Sequence, residues 1–347
     1  MSQSVCKLTS ASAEQARWDA YVEKHHEGSF FHLSGWRNVI ERVYRHKCHY
    51  LYVEKDGVIC GLLPLVEQKS KLFGHTLIST PFCVYGGAIA DSESILLALE
   101  EAAANLGKLL GVDYLELRYT RPRENNSNLI LNCNHSTFVM EIADDEQAIL
   151  QSIKKKQRAN VRQSLKNNLV AETTSDSGAV HRIYSESVRN LGTPVFPKKY
   201  FQALKDEFGE QVELLLIKKD DEAVSAVLSF YYKNTVLPYY GGGTPDARQC
   251  RSNDFMYYNL MCRSKLEKGC TTFDFGRSKN GSGSGNYKKT WGIQPRPLYY
   301  YCQLINADSL PNLSPDNPKY KLFISAWQKL PLFVTKRLGP LLSKYLG

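Results

Sequence analysis

The stretch from residue 274 to residue 292 holds the side chains best suited to chemistry. Asp274-Phe275-Gly276-Arg277-Ser278-Lys279 is followed by a Gly- and Ser-rich gap, Asn280 to Asn286, and by Tyr287-Lys288-Lys289-Thr290-Trp291-Gly292. Lys288 and Lys289 could neutralise a phosphate or a developing oxyanion, and Arg277 could grip a carboxylate or phosphate with two hydrogen bonds. A plain linker needs neither two lysines nor an aromatic pair at its exit, so the pattern favours a mobile active-site or substrate loop.

Side chains that could transfer protons lie in the same segment and in a tyrosine pair. A nucleophile that attacks a carbonyl carbon needs a proton acceptor and stabilisation of the tetrahedral oxyanion. We predict Asp274 as the acceptor, and Tyr239 or Tyr240 as the proton donor. The alternative for Asp274 is a cap or an ion-pair partner of Arg277. No Ser-His-Asp or Cys-His order stands out in the sequence, so covalent catalysis is not predicted.

Glycine runs at two strand ends form a second candidate feature. One run is Tyr239-Tyr240-Gly241-Gly242-Gly243, with Asn253 following at a helix start, and the other is the shorter Tyr85-Gly86-Gly87. A strand, a glycine turn and a helix N-terminus together offer backbone N–H groups to the phosphates of a donor. We therefore predict donor or substrate contacts at Gly241, Gly242, Gly243, Asn253 and Tyr85. The alternative is that the glycines only make turns.

The elements around these residues occur twice in the sequence. A hairpin turning at Lys55-Asp56-Gly57, a third strand, a helix from Ser92 to Leu110 and a strand ending at Arg118 make the first copy. About 160 residues later, a hairpin turning at Lys219-Asp220-Asp221, a strand ending in the glycine run, a helix from Asn253 to Lys268 and a strand ending at Arg277 repeat that order. The predicted fold class is therefore α/β, with mixed sheets in two copies of one unit.

Two basic segments flank the second copy. Residues 148–168 are predicted to form one helix, in which Lys154, Arg158, Arg162 and Lys166 recur every fourth residue. Its charged stripe is either a solvated surface or a face that contacts an anion, with Arg158 and Arg162 as the candidate contacts.

The tail, residues 306–347, is basic and amphipathic, which suits an anionic membrane surface, or else it packs on the body. Pro331 and Pro340 are expected to break the tail into short pieces.

Composition limits the remaining choices. The 347 residues suffice for two or three domains, and the content of 43% hydrophobic and 23% charged residues is that of a globular protein. The nine cysteines are scattered without a CxxC pair, so we predict reduced core thiols and no metal. The start of the chain lacks the apolar core of a signal peptide, and no apolar stretch reaches the roughly 20 residues of a membrane span, which predicts a cytoplasmic protein. The formal net charge of +9 favours anionic partners.

The sequence resembles one known family. Phe273-Asp274-Phe275-Gly276, the Gly-rich gap and Tyr287-Lys288-x-x-Trp291-Gly292 resemble the aromatic-Asp-Phe-Gly and Phe-Lys-x-x-Phe-Gly signature of the FemABX transferases of the acetyltransferase (GNAT) superfamily. Pro81-Phe-Cys-Val-Tyr-Gly-Gly87 and Gly276-Arg-Ser-Lys279 are most similar to the FemAB-related proteins of exosortase (PEP-CTERM) systems. The resemblance runs from about His49 to Tyr301.

The resemblance implies two tandem GNAT-like (acyl-CoA N-acyltransferase) domains, with Lys288 in place of the family lysine near the acyl-transfer centre. We assign residues 1–145 to the first domain and residues 146–305 to the second. FemABX enzymes move an amino acid from aminoacyl-tRNA to a peptidoglycan precursor without a metal, but this chain lacks their inserted helical arm.

Either acyl-CoA or aminoacyl-tRNA is therefore expected as co-substrate, with no tightly bound cofactor. The expected activity is acyl transfer to a cell-envelope or exopolysaccharide precursor, at the inner membrane face if the tail binds lipid. The alternative is a non-catalytic module that binds an anionic glycan or nucleic acid.

Overall fold

A computed structural model of the protein describes residues 4–123, 129–310 and 318–346. The chain divides into two units. The first comprises Met1–His135, Pro297–Asn312 and Tyr345–Gly347, and the second comprises Ser136–Arg296 and Leu313–Lys344. Residues 136–145 therefore cluster with the second unit, and residues 297–305 cluster with the first.

The helices and strands follow one another along the chain in an alternating order. Up to residue 132 they are β1 (Ser4–Lys7), α1 (Ser12–Lys24), α2 (Gly35–Tyr44), β2 (Lys47–Cys48), β3 (Leu51–Lys55), β4 (Val58–Leu63), β5 (Leu65–Ser70), β6 (Gly74–Ser79), β7 (Ile89–Ala90), α3 (Glu93–Leu110), β8 (Tyr114–Tyr119) and β9 (Ile130–Asn132). From residue 135 they are β10 (His135–Glu141), α4 (Glu146–Ser152), α5 (Lys155–Ser164), β11 (Leu169–Thr173), α6 (Ser177–Asn190), α7 (Lys198–Phe208), β12 (Val212–Lys219), β13 (Glu222–Tyr232), β14 (Thr235–Gly243), α8 (Asp246–Gln249), α9 (Ser252–Lys268), β15 (Thr272–Lys279), α10 (Gly283–Thr290), β16 (Arg296–Pro297), β17 (Tyr299–Leu304), α11 (Pro318–Lys329) and α12 (Leu332–Ser343).

The first unit contains two sheets and the long helix α3. Their strand orders are β1-β3-β4-β7 and β2-β5-β6-β8-β17-β9. Helix α3 connects β6 to β8, which pair in parallel from Thr76 opposite Tyr114. The helix begins where the Ser92 hydroxyl accepts the Ile95 N–H, and it ends at Gly111, whose φ of 67° suits a left-handed cap. Its inner face supplies Leu99 and Ala103 to the core of this unit.

The second unit is built around one sheet with the order β11-β12-β13-β14-β15-β10-β16. Helix α9 connects β14 to β15, which pair in parallel as β6 and β8 do. The helix ends at Gly269, where φ is 67°. Strands and helix share a core that includes the fully buried Val227, Val236 and Phe273.

The two hairpins show how closely the units correspond. Each uses a two-residue turn with positive φ at both positions, Asp56-Gly57 in the first and Asp220-Asp221 in the second, which is the backbone of a type I′ turn. Each also carries a β-bulge in its second strand, at Cys60 and at Val224. The bulges lie at the same distance from the turns, so the repeat predicted from the sequence is confirmed.

Residues 148–168 do not form the single helix that the charge periodicity predicts. The chain makes two helices, α4 and α5, because Ile153 and Lys154 are extended, with ψ of 138° and 141°. The break turns Ile153 into the core together with Ile149 and Val161. The Arg158 guanidinium donates to the Ile153 carbonyl at 3.1 Å and so satisfies an acceptor at the end of α4.

Two further expectations about local structure are wrong. Residues 283–290, expected in a mobile loop, form helix α10, because the Ser282 hydroxyl caps it by accepting the Gly285 N–H. In the tail, Pro331 does separate two helices, but Pro340 lies inside α12. Packing maintains α12 through this proline, since Gly339 lies so close to Val195 that a Cβ at position 339 would come within 2.9 Å of its backbone. Residues 311–317 of the tail lie outside the described residues.

The repeat also shows a difference at its two strand-end arginines. Arg118 is buried, and its guanidinium donates to Glu116 at 2.8 Å and to the Cys83 carbonyl at 2.7 Å. It also lies 5.3 Å from the ring centre of Tyr300. These contacts fasten the segment that leads into the Tyr85-Gly86-Gly87 run, so Arg118 has a structural role. Arg277, by contrast, is only half-buried.

We predict that Arg118→Ala lowers the free energy of unfolding by about 3 kcal/mol, because it leaves the Glu116 carboxylate and the Cys83 carbonyl without their donor. The matched control is Arg121→Ala, since Arg121 pairs with Glu27 while its side chain is 52% exposed. Exposed pairs contribute less than about 1 kcal/mol. Urea unfolding at neutral pH measures both changes, and equal losses for the two variants would contradict a structural role for Arg118.

Candidate functional site

The candidate site begins where the parallel strands β14 and β15 stop pairing. Their register joins Thr235 to Thr272 and Val236 to Phe273, at the start of each strand. Beyond these pairs, among the residues that the structure describes, β14 and β15 no longer pair with each other, while the carboxyl half of β14 stays paired with β13. The carboxyl ends of parallel strands are a common location for ligands, and here they carry Tyr239, Tyr240, Asp274 and Arg277.

A β-bulge determines the position of the two tyrosines. Leu228 on β13 pairs with Tyr240 and Ser229 pairs with Pro238, so Tyr239 is the additional residue of β14. Tyr240 is buried, and its hydroxyl lies 3.0 Å from that of Tyr200. Burial, with contributions from Tyr200 and Tyr239, raises the pKa of Tyr240 well above its usual value, so this hydroxyl keeps its proton. Tyr239 is half-buried, and its ring centre lies 4.8 Å from that of Tyr240.

The glycine run that ends β14 has a packing reason. A Cβ at Gly242 would come within 2.3 Å of the Ser187 side chain on α6, and a Cβ at Gly243 within 2.4 Å of Ala247 on α8. Gly241 lies one residue nearer the bulge. Glycine thus lets two helices approach the strand end. Asn253, in the first turn of α9, accepts the Ser225 hydroxyl at 3.0 Å, which ties the helix start to β13.

Asp274 and Gly276 shape the end of β15. The Asp274 carboxylate accepts the Gly276 N–H at 2.8 Å and the Thr137 hydroxyl of β10 at 3.2 Å. Gly276 has φ of 69°, a left-handed conformation that this local hydrogen bond supports. Asp274 is 5% exposed, so its carboxylate lies within the protein next to these donors.

Lys288 reaches back from α10 to the end of β15. Its ammonium donates to the carbonyl oxygens of Gly276 at 2.9 Å and Arg277 at 3.0 Å, and it lies 5.4 Å from the ring centre of Phe138. Burial lowers the pKa of Lys288 from 10.5 to about 8, Asp274 opposes that change, and Arg277 adds to it. The structure thus brings Asp274, Arg277 and Lys288 together. At neutral pH the lysine is mostly charged, but it loses its proton at a lower pH than an ordinary lysine does.

A buried carboxylate holds α10 in position. Asp254, on α9, accepts the Tyr287 hydroxyl at 2.8 Å and the Gln157 amide of α5 at 2.6 Å. The Thr290 hydroxyl donates to the same glutamine at 3.2 Å. This network fixes the residue next to Lys288, and the sequence analysis did not include Asp254 among the site residues. An acidic residue on the inner side of a helix start was the only sequence signal for it.

The other candidate cations lie on the surface near α10. Lys289 is exposed, and its carbonyl accepts the Lys154 ammonium at 3.3 Å. Arg162 on α5 is exposed, whereas Arg158 is half-buried and also contacts Gln151. Helix α5 therefore carries its positive charge next to the helix of Lys288. Tyr85 belongs to the first unit, where its ring lies 5.8 Å from that of Phe31.

Comparison with known proteins identifies the second unit. Residues 150–289 match the family model of the acetyltransferase (GNAT) domain Acetyltransf_6. The chain contains a GNAT domain. This domain spans α5 to α10 and so includes Asp274, Arg277 and Lys288. No curated protein gives a significant sequence match.

Solved structures extend the likeness to both units. A crystal structure of FemX matches with a TM-score of 0.65 at 17% identity, over 92% of this chain and 100% of that one. The C-terminal domain (DUF2156) of a lysylphosphatidylglycerol synthetase from Agrobacterium fabrum, itself named as putative, matches with a TM-score of 0.57 at 13% identity, over 84% and 93%. A tandem GNAT protein from the clavulanic acid biosynthesis pathway matches with a TM-score of 0.51 at 11% identity, over 89% and 100%. At these identities the likeness concerns the fold, and the predicted tandem of two GNAT-like domains is confirmed.

Two features are absent from the described residues. Among them, no group of three or more His, Cys, Asp or Glu side chains is arranged to hold a metal ion. No helix in the described ranges has the length and apolarity that a bilayer crossing requires.

The lowered pKa of Lys288 predicts a pH-dependent contribution to stability. Folding disfavours the ammonium form of Lys288 and so lowers the free energy of unfolding. This loss of stability is fully present below about pH 8, the pKa in the folded protein, and disappears as the pH approaches 10.5, the pKa in the unfolded chain. The free energy of unfolding of the wild type should therefore rise relative to that of Lys288→Met between about pH 7 and about pH 9.5. Urea unfolding at both pH values measures the difference. Lys289→Met controls for loss of a lysine from the same helix, and a constant difference between wild type and Lys288→Met would refute the assignment.

Proposed function

We propose that the protein is an acyl or aminoacyl transferase whose reaction centre lies at the end of β15. The observation that carries this proposal is the Lys288 ammonium, held by two backbone carbonyls next to Asp274 inside the GNAT domain. A desolvated ammonium stabilises nearby negative charge more strongly than a solvated one. The tetrahedral oxyanion of acyl transfer is such a charge.

In the proposed reaction, an acceptor amine or hydroxyl attacks the acyl carbonyl of the donor. A C–N or C–O bond forms, and the C–S bond of a thioester or the C–O bond of an ester breaks. The Lys288 ammonium stabilises the oxyanion, and Arg277 binds an anionic group of a substrate. Asp274 accepts the proton of the acceptor, and Tyr239 or Tyr240 donates one to the leaving group. Asp274 favours the charged form of Lys288, which supports the electrostatic role of the ammonium.

The donor we propose is acyl-CoA or aminoacyl-tRNA, bound without a tight cofactor. The positive face of α5 next to α10 supports an anionic donor, with Arg158, Arg162 and Lys289 as contacts and with Gly241, Gly242, Gly243 and Asn253 lining the end of β14. The resemblance to FemABX proteins and the fold shared with FemX support aminoacyl transfer. We further propose a cytoplasmic enzyme that acts on a cell-envelope or exopolysaccharide precursor, as in the FemAB-related proteins of PEP-CTERM systems, with Tyr85 and the first domain contributing to acceptor recognition.

The role of Lys288 predicts a characteristic pH dependence of activity. Because the ammonium form stabilises the oxyanion, the ratio of wild-type to Lys288→Met turnover should be large below about pH 8 and should fall above it. Loss of one preorganised donor typically costs about a hundredfold in kcat. Turnover is measured by mass spectrometry of candidate acceptors incubated with acyl-CoA or charged tRNA. The ratio removes the ionisation of the acceptor amine, which affects both enzymes equally.

Two results would contradict this role. A ratio that rises with pH would make neutral Lys288 a general base instead. Binding of an anionic glycan or nucleic acid that weakens in Lys288→Ala, without turnover of any donor, would favour the non-catalytic binding module. Tyr258→Phe is a matched control of global integrity, since Tyr258 lies on α9 with Asp254 but its hydroxyl donates to the Glu146 carbonyl of α4.

The identity of the donor predicts how the basic face responds to substitution. If the donor is aminoacyl-tRNA, the double variant Arg158→Ala/Arg162→Ala should bind tRNA more weakly, and the slope of log affinity against log salt should decrease by about 1 to 2. The variant Arg158→Lys/Arg162→Ala keeps a positive charge near the Ile153 carbonyl. It therefore distinguishes the loss of an RNA contact from the loss of the hydrogen bond at the end of α4. Lys219→Ala/Lys108→Ala removes two exposed lysines elsewhere. Unchanged tRNA binding and activity in the arginine variants would exclude tRNA and leave acyl-CoA.

A further inference from the structure

Helix α12 buries three small residues and exposes three of its large apolar residues, while Leu332, Val334 and Leu342 are half-buried. Thr335, Gly339 and Ser343 recur every fourth residue and are buried. On the opposite side, Phe333 is 75% exposed and Leu341 is 67% exposed. A helix that only covers the protein body would bury its large apolar side chains, because each one gains the most from leaving water. In α12, Phe333 and Leu341 instead face solvent.

The neighbouring helix α11 adds to this surface. Its Leu322 is 74% exposed, while Trp327 is buried. The segment is fixed to α6 of the same unit, since Gln328 donates to the Asn190 carbonyl at 3.0 Å and the Arg189 guanidinium lies 3.4 Å from the Leu330 carbonyl. The outward apolar side chains thus stand on an anchored scaffold. We name Leu322, Phe333, Leu338 and Leu341, with the surrounding basic residues, the tail face.

Charge distinguishes the tail face from an ordinary protein interface. Residues 318–346 contain six Lys and Arg residues and no Asp or Glu. Arg337 and Lys329 are exposed near the apolar side chains. Lys336 is half-buried, and burial lowers its pKa, with Arg182 of α6 adding to that change and Glu186 of α6 opposing it. Apolar residues interleaved with basic ones complement the acyl boundary and headgroups of an anionic bilayer, where each basic residue adds roughly 1 kcal/mol of attraction.

We propose that the tail face docks on an anionic lipid bilayer. Phe333, Leu338, Leu341 and Leu322 enter the boundary between headgroups and acyl chains, and Arg337 and Lys329 lie among the headgroups. The binding is peripheral and reversible, since it combines shallow apolar insertion with electrostatic attraction. This inference does not depend on the proposed transferase activity. It would bring the protein to the membrane whatever reaction its GNAT domain performs.

Vesicle flotation with the full chain tests the docking. Wild-type protein should float with vesicles of phosphatidylcholine containing about 30 mol % phosphatidylglycerol, should release at high salt, and should stay unbound with pure phosphatidylcholine. Phe333→Ser/Leu341→Ser should reduce the partition coefficient at least about tenfold, because both apolar contacts are lost. Arg337→Glu should weaken binding to the anionic vesicles as well. The matched control is Leu109→Ser/Leu266→Ser, which removes two exposed leucines from other helices and should bind as the wild type does.

Three results would overturn the docking. One is wild-type protein that does not float with anionic vesicles, and another is a Phe333→Ser/Leu341→Ser variant that floats equally well. The third is a wild-type dimer that this variant converts to a monomer, since the tail face would then be occupied by a second copy. Circular dichroism and thermal unfolding verify that each variant folds. Acyl transfer to a water-soluble acceptor separates the two proposals, because its absence contradicts the transferase while leaving vesicle binding intact.

Discussion

The candidate site depends on the contact between one ammonium group and two backbone carbonyls. Lys288 can meet Gly276 and Arg277 only because the backbone turns at Gly276, where a positive φ directs successive carbonyls toward α10. Asp274 supports that turn by accepting the Gly276 N–H. The same carboxylate also stabilises the lysine charge that burial disfavours. Asp274 thus shapes the strand end and influences the protonation of the group held there.

Positioning of the lysine requires a second constraint, which comes from α10. The Ser282 cap starts this helix and the Tyr287–Asp254 hydrogen bond fixes its inner side. Asp254 also holds Gln157 of α5, so the basic helix and the lysine helix share one buried acceptor. A buried network of this kind is rigid when each member is satisfied, and rigidity is what a preorganised electrostatic site needs.

Much of this arrangement was readable from the sequence, for identifiable reasons. Turn residues with positive φ, the Ser92 cap and the Gly111 end are local signals, so both hairpins and helix α3 could be predicted together with the repeat. Asp274, Arg277 and Lys288 can be grouped from the sequence because they lie within one short segment, and the Lys288 ammonium contacts the backbone of that segment. The break at Ile153 and the continuation of α12 through Pro340 depend on burial and tertiary packing, which outweigh helical periodicity and proline propensity. The hydrogen bonds of Asp254 are not predictable from its place at a helix start, because its partners, Gln157 and Tyr287, lie on other helices.

The two copies of the repeat differ in the burial of the arginine at the strand end. In the first unit Arg118 is buried and donates hydrogen bonds to Glu116 and to the Cys83 carbonyl, so this arginine stabilises the fold. In the second unit the Lys288 ammonium of α10 donates to the backbone carbonyl of Arg277 at the end of β15, and the Arg277 side chain is half-buried. The cations of α5 other than the half-buried Arg158 are exposed, and salt screens such charges within about 10 Å, whereas a desolvated ammonium is screened far less. One domain therefore combines a salt-sensitive surface suited to attracting an anionic donor with a protected charge suited to the chemical step, and this division of roles needs only one of the two copies.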